Sequence, residues 1–246
     1  MRNLKLILQY DGFLFHGFQI QPVARTVQGE LQKMLSNITG ENIKVQGCSR
    51  TDAGVHAYRY CCNFYTEFRI PADRLPLVMN NNRYAPDIRV ISCEDVGEDF
   101  NARFDTKYKT YRYLIDMSEE PDIFLRNYRW QIRKTLDIGA MNEAAKHIVG
   151  EHDFASFMTS GTDVTSTVRN VFSLNINRIG NDMAELLITA DGYLYNMVRI
   201  ITGTLASVGD GTISAGDVEG IVAACDRAKA GPTAPPQGLY LYDVVY

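Results

Sequence analysis

The chain is 246 residues long, 46% hydrophobic and 22% charged, with a formal net charge of −4. These values suit one or two folded domains with a substantial core and exclude a disordered or low-complexity chain. No apolar run approaches membrane-spanning length, and the start, Met1-Arg2-Asn3-Leu4-Lys5-Leu6, lacks the continuous apolar centre of a signal peptide, so a soluble cytoplasmic protein with no membrane partner is expected. Five cysteines, Cys48, Cys61, Cys62, Cys93 and Cys225, show no CxxC spacing, and His16, His56, His147 and His152 are scattered. Reduced thiols, no disulfide framework and no metal site follow.

Along the chain, Leu4, Leu6, Leu8 and Tyr10 alternate with polar or smaller positions and predict a strand. Thr26 is a plausible N-cap for a helix whose apolar face is Val27, Leu31, Met34, Leu35 and Ile38 and which stops near Gly40. Gly29 inside that helix costs about 1 kcal/mol against Ala, which hints at close packing there. Strands are expected at about 43–48 and 56–67, a helix from Pro71 to about Asn81, and a strand from Ile88 to Cys93. Strand, helix, strand, strand, helix, strand is the ferredoxin-like order, α+β in class, with helices on one sheet face and the other left for a ligand.

Beyond residue 104 the order recurs more loosely. The pattern predicts a strand over Lys107–Met117, a helix from Asp137 to Val149 stopped by Gly150, and a hairpin of Val168–Asn177 with Met183–Ala190. Helices at about 194–208 and 215–227 follow, the second opened by the capping-box spacing Ser214-x-x-Asp217. After the Pro/Gly-rich loop Gly231 to Gly238, Leu239–Val245 closes the sheet. Two domains, 1–104 and 105–246, are expected.

Charge is uneven. Residues 101–134 hold eight Lys or Arg against five Asp or Glu, residues 135–246 six against thirteen, and the first hundred eleven of each. The central basic segment, with Arg50, Arg59 and Arg83, suits an electropositive cleft, and equally a solvated charged surface.

The most informative stretch is Gly47-Cys48-Ser49-Arg50-Thr51-Asp52-Ala53-Gly54-Val55-His56-Ala57, which puts one carboxylate in a glycine-bounded loop between two strands. Such a carboxylate can meet a ligand while the sheet holds it; Asp-Ala-Gly by itself is also an ordinary turn. Arg199, in the otherwise apolar run Leu194 to Ile201, calls for an ion partner or a polar cleft, or else a stem that snorkels to water. Tyr111 and Tyr113 share a strand face; either could be a core aromatic, and Tyr113 is the better candidate for that.

Arg50 to His56 closely resembles the signature of the tRNA pseudouridine synthase A (TruA) family. Further matches occur in order: Tyr10-Asp11-Gly12 with Phe15, Gly17, Gln19 and Gln21, then Thr26-Val27-Gln28, Ala102-Arg103-Phe104, Tyr111-Arg112-Tyr113, His152 to Phe157, Arg169-Asn170-Val171, Met197-Val198-Arg199 with Gly203, and Gly238-Leu239-Tyr240-Leu241. Phe18 stands where the family commonly has Trp, and Tyr195-Asn196 where it has aromatic residues or His. The resemblance implies two ferredoxin-like (RRM-like) halves whose mostly antiparallel sheets merge around a central cleft, usually in a homodimer. It implies an isomerase that turns uridine into pseudouridine in the anticodon stem-loop of tRNA, at positions 38, 39 and 40, with no cofactor. Asp52 would be the nucleophile, Arg199 its cation, Tyr111 the aromatic residue against the target uracil and Arg50 a phosphate contact.

An aspartate nucleophile admits two first steps, attack on ribose C1′ or on uracil C6, and an enclosed carboxylate needs an apposed cation to stay ionised. Two other classes compete. A non-catalytic RNA-binding module would share the open sheet but lacks the RNP1 pattern, and a carboxylate hydrolase of the glycosidase kind would need a second acid paired with Asp52.

Overall fold

Alternation in the first strand puts Leu4, Leu6, Leu8 and Tyr10 on one side of β1 (Arg2–Tyr10), where all four are buried. β1 pairs antiparallel with β3 (His56–Thr66) on one edge and with β4 (Ile88–Val96) on the other. Between them runs α1 (Val27–Thr39), opened by the Thr26 hydroxyl accepting from Gly29 N–H at 3.2 Å and closed at Gly40. A Cβ at position 29 would lie 3.0 Å from that hydroxyl, so the expected crowding at Gly29 is with the helix's own cap.

β2 (Val45–Gly47) is shorter than its sequence pattern predicts. Ile43 N–H bonds the Ser36 hydroxyl and Val45 N–H bonds Gln32 Oε1, so α1 side chains take donors that a ladder would use. β2 lies antiparallel on β3 at Cys62–Phe64, and β10 (Leu239–Val245) pairs parallel further along β3, Tyr240 opposite His56. The helix expected from Pro71 is instead a short 3-10 turn, Ala72–Arg74, followed by α2 (Leu75–Asn80) with Pro76 in its first turn.

The computed structural model describes residues 1–81, 85–161 and 164–246, so Arg83 lies outside the described residues. The chain divides into two compact units, Met1–Lys107 with Tyr240–Tyr246, and Tyr108–Leu239. The first carries the ferredoxin-like order β1, α1, β2, β3, α2, β4, completed by the C-terminal strand.

The second unit repeats the strand, helix, strand, strand, helix order only loosely, with two short strands and a helix added, around an antiparallel sheet of β5 (Tyr108–Asp116), β9 (Met183–Ala190), β8 (Val168–Ile179) and β7 (Gly150–Asp153). Neither β7 nor β6 (Trp130–Gln131), which runs parallel to β5, shows in the sequence pattern, because runs of two or four residues are too short for a period. α3 (Ile138–Ala145) ends early: its last turn tightens to i→i+3 bonds, as in His147 N–H to Ala144 O at 3.1 Å. α4 (Met197–Gly209) starts three residues late because Asn196 is left-handed at φ 62°. α5 (Asp217–Ala224) is capped by Gly216 with no side-chain bond. The expected Ser214 capping box does not form: Asp217 N–H goes to the Ser214 carbonyl.

Cys48, Cys61, Cys62 and Cys93 are buried and Cys225 is exposed. Burial pushes Cys61 up to about 11, Cys93 up to about 12 and Cys62 well above the usual thiol range. A disulfide-exchange reagent at about pH 8 is therefore expected to titrate one thiol quickly in the folded protein and all five in denaturant. Two or more fast thiols would contradict this packing.

Candidate active site

The Asp52 loop, Cys48–Val55, connects β2 to β3 in the first unit, with Asp52 half-buried and Arg50 exposed. The segment after β1 clamps it. Phe18 N–H donates to Thr51 O at 3.1 Å, Gly54 N–H to Phe15 O at 3.2 Å, and within the loop Val55 N–H closes a turn onto Asp52 O at 3.2 Å. The hydroxyls of Thr51 and Tyr10 meet at 2.8 Å, and the Tyr60 hydroxyl donates to Ser49 O. Thr51 before Asp52 and Gly54 after it are thus tied to the segment that follows β1, which restrains the backbone that carries the carboxylate.

That clamp explains two glycines. A Cβ on Gly12 would fall 1.9 Å from the Val55 carbonyl oxygen, and one on Gly17, at φ +84°, 2.5 Å from the Thr51 carbonyl oxygen. Buried His56 completes the arrangement: its Nδ1 accepts from Gly12 N–H at 3.0 Å and lies 3.1 Å from Asp11 Oδ1. Phe18 stacks on Tyr60, ring centroids 4.4 Å apart, so an aromatic residue at position 18 braces the loop without being Trp.

In the second unit, Tyr111 sits on β5 with its ring edge-on to Tyr193 at 4.9 Å, and the Tyr193 hydroxyl donates to Lys109 O and Ile188 O. Tyr113 is fully buried and its hydroxyl donates to Pro235 O at 2.7 Å. Burial raises the Tyr113 pKa well above the usual phenol value, against a smaller opposing pull from Arg199. Tyr113 is thus a core residue.

Arg199 lies in the first turn of α4, half-buried. Its Nε donates to Ala234 O at 2.7 Å and its Nη1 to Asn196 Oδ1 at 2.7 Å, while Ala234 N–H returns a bond to Arg199 O at 3.0 Å. The loop carrying Ala234 reaches α4 because position 203 is glycine; a Cβ there would lie 1.8 Å from Pro232 O. The left-handed Asn196 lets its side chain serve two neighbours, Arg199 and, through Nδ2, the Thr159 hydroxyl at 2.9 Å.

Of the predicted site residues, Arg50 and Asp52 therefore share one loop, and Tyr111 and Arg199 lie in the other unit. Sequence reasoning missed Asn196 and Ala234 as holders of Arg199; the positive φ at 196 has no signal beyond Asn's tolerance for it. Arg112 of the basic segment is taken by Glu185 on β9 at 2.8 Å, whereas exposed Arg103 lies over the Phe104 ring at 5.4 Å. Among the described residues no group of three or more His, Cys, Asp or Glu is placed to hold a metal ion, and no helix is long and apolar enough to cross a membrane.

Fold and residues together define an α+β protein built to hold one loop carboxylate in a fixed place. A profile of the family described as tRNA pseudouridine synthase matches residues 6–105 and 144–246. A tRNA pseudouridine synthase A of Ruminiclostridium cellulolyticum is 44% identical over 246 residues, and one of Brevibacillus brevis 47% identical over 247, each comparison covering all of both chains. The chain belongs to the tRNA pseudouridine synthase A family, and so to the isomerases. A solved structure titled as a Cbf5-Nop10-Gar1 complex resembles it at TM-score 0.40 and 11% identity, over 82% of this chain and 45% of that one, too loosely to carry an argument.

Proposed function

We propose that the protein isomerises uridine to pseudouridine in the anticodon stem-loop of tRNA, at positions 38, 39 and 40, with Asp52 as covalent nucleophile. The observation that carries the reading is the clamp on Asp52: its loop is bonded from Phe15 and Phe18 and wedged by Gly12 and Gly17, the preorganisation a nucleophile needs. In this reading Arg199 keeps Asp52 ionised, Tyr111 packs against the target uracil and Arg50 takes a neighbouring phosphate. The N1–C1′ bond breaks and a C5–C1′ bond forms, C5 loses a proton and N1 gains one. Nothing is oxidised or reduced, so neither metal nor cofactor is required. The protein acts in the cytoplasm as a homodimer.

The test is to incubate the protein with unmodified tRNA transcripts and map pseudouridine by position, with and without a chelator. Product at positions 38 to 40 in both conditions is expected. Product only at other positions would overturn the site assignment, and loss with the chelator, reversed by one divalent ion on prefolded tRNA, would overturn the metal-free chemistry.

Gly12→Ala tests the clamp. The added methyl displaces the Val55 carbonyl and with it the turn that carries Asp52, and a misplacement of about 1 Å costs about a hundredfold in rate. Turnover is expected to fall by about that factor with the circular dichroism spectrum retained. A fully active Gly12→Ala protein would remove the clamp from the mechanism.

A further inference from the structure

Where β3 pairs with β1 the register shifts: Leu8 is opposite Tyr60 but Tyr10 is opposite Ala57, so two residues of β1 span three of β3. Beyond this bulge Ala57 takes the helix-side face, and His56 and Tyr58 turn to the other. Tyr240, opposite His56 on β10, joins them. The Tyr240 ring lies between two others, His56 at 4.7 Å and Tyr58 at 5.1 Å, each inclined by 22°, and Tyr242 meets Tyr58 edge-on at 5.8 Å. Exposure rises along the row, from 2% at His56 and 7% at Tyr240 to 39% at Tyr58 and 43% at Tyr242.

A stack that served packing alone would end under other side chains, whereas this one ends in two tyrosines open to solvent. Beside them Arg59 is paired with Asp243 at 3.0 Å, with side chains 57% and 41% exposed, a surface pair that a phosphate can displace at little cost.

We propose that the Tyr58 ring is a shelf on which an unpaired base of the RNA substrate stacks, with Tyr242 standing edge-on at its rim and Arg59 taking the adjoining phosphate. The proposal rests on the tRNA isomerase reading above and names a contact for that substrate. Its occupant follows from the chemistry: a planar heterocycle continues a row of near-parallel rings, stacking tolerates any base, and a cation lies alongside for the backbone. The row is also continuous with the Asp52 loop, since His56 at its inner end holds Gly12. Tyr58 binds and takes no part in bond making.

The experiment compares Tyr58→Ala, Tyr58→Phe, Tyr242→Ala and Arg59→Ala in the full chain, on one unmodified tRNA transcript. It reads tRNA affinity across a salt series, KM and kcat, thermal unfolding and, by light scattering, oligomeric state. Tyr58→Ala is expected to weaken binding and raise KM about tenfold with kcat within about twofold, and Tyr58→Phe to restore both. The log–log salt slope should stay unchanged in Tyr58→Ala and drop by about one in Arg59→Ala. Unchanged affinity and KM in both alanine variants of the tyrosines would overturn the shelf. So would a changed oligomeric state with unchanged affinity, which would assign the surface to a second copy of the chain. Affinity lost in Tyr58→Ala without any pseudouridine from the wild type supports the shelf and defeats the isomerase reading; product with affinity untouched does the reverse.

Discussion

Asp52→Asn is expected to abolish pseudouridine formation while tRNA affinity stays within about tenfold. The amide has the carboxylate's shape but not its nucleophilicity, and the substitution leaves in place the loop's backbone bonds at Thr51, Asp52, Gly54 and Val55 and its contacts with the Tyr10 and Tyr60 hydroxyls. The melting temperature should therefore move by only a few degrees, corresponding to about 1 kcal/mol or less. Asp52→Ala should behave alike. Turnover retained by purified Asp52→Asn, checked for contaminating wild-type enzyme, would remove Asp52 from the chemistry. An equal loss of binding and turnover would make it a structural residue.

Arg199→Lys is expected to lose most activity, on the order of a hundredfold or more in kcat, since an ammonium cannot reproduce a guanidinium's planar, multi-directional donation. In the folded protein that donation already spans two partners, Ala234 O through Nε and Asn196 Oδ1 through Nη1. Lysine keeps the charge but not both bonds, so the loss should exceed what charge alone predicts. Folding should survive with a cost of about 1 to 2 kcal/mol, because the backbone bond from Ala234 N–H to the carbonyl of residue 199 persists whatever the side chain. Wild-type turnover in Arg199→Ala would defeat the proposed pairing with Asp52; a change in stability alone would leave Arg199 as a support for the 231–238 loop.

The sequence by itself determined the elements that rest on near neighbours. β1, α1, β3, the β8–β9 hairpin and the Thr26 cap follow from alternation, helical period and capping, interactions that span four residues or fewer or a short turn. Asp52 could be singled out as a candidate because the Gly47 to His56 stretch that carries it is contiguous in the chain, and Arg199 because a charge in an apolar helix stands out.

Tertiary structure decided the rest, because the partners are far apart along the chain. Nothing near Gly12 or Gly17 says that each presses on a carbonyl of the Asp52 loop some forty residues on, or near Gly203 that Pro232 will cross it. The Ser214 capping box fails locally instead: its spacing is right, but the Ser214 carbonyl takes the Asp217 N–H that the hydroxyl would have bonded. Tyr240–Tyr246 shows the limit most plainly, since its strand pattern predicts β10 but only long-range pairing, Tyr240 on His56, makes the end of the chain part of the first unit. Periodicity reports that a segment has a face to bury, while the surface that buries it depends on contacts whose loop-closure cost and packing no local pattern records.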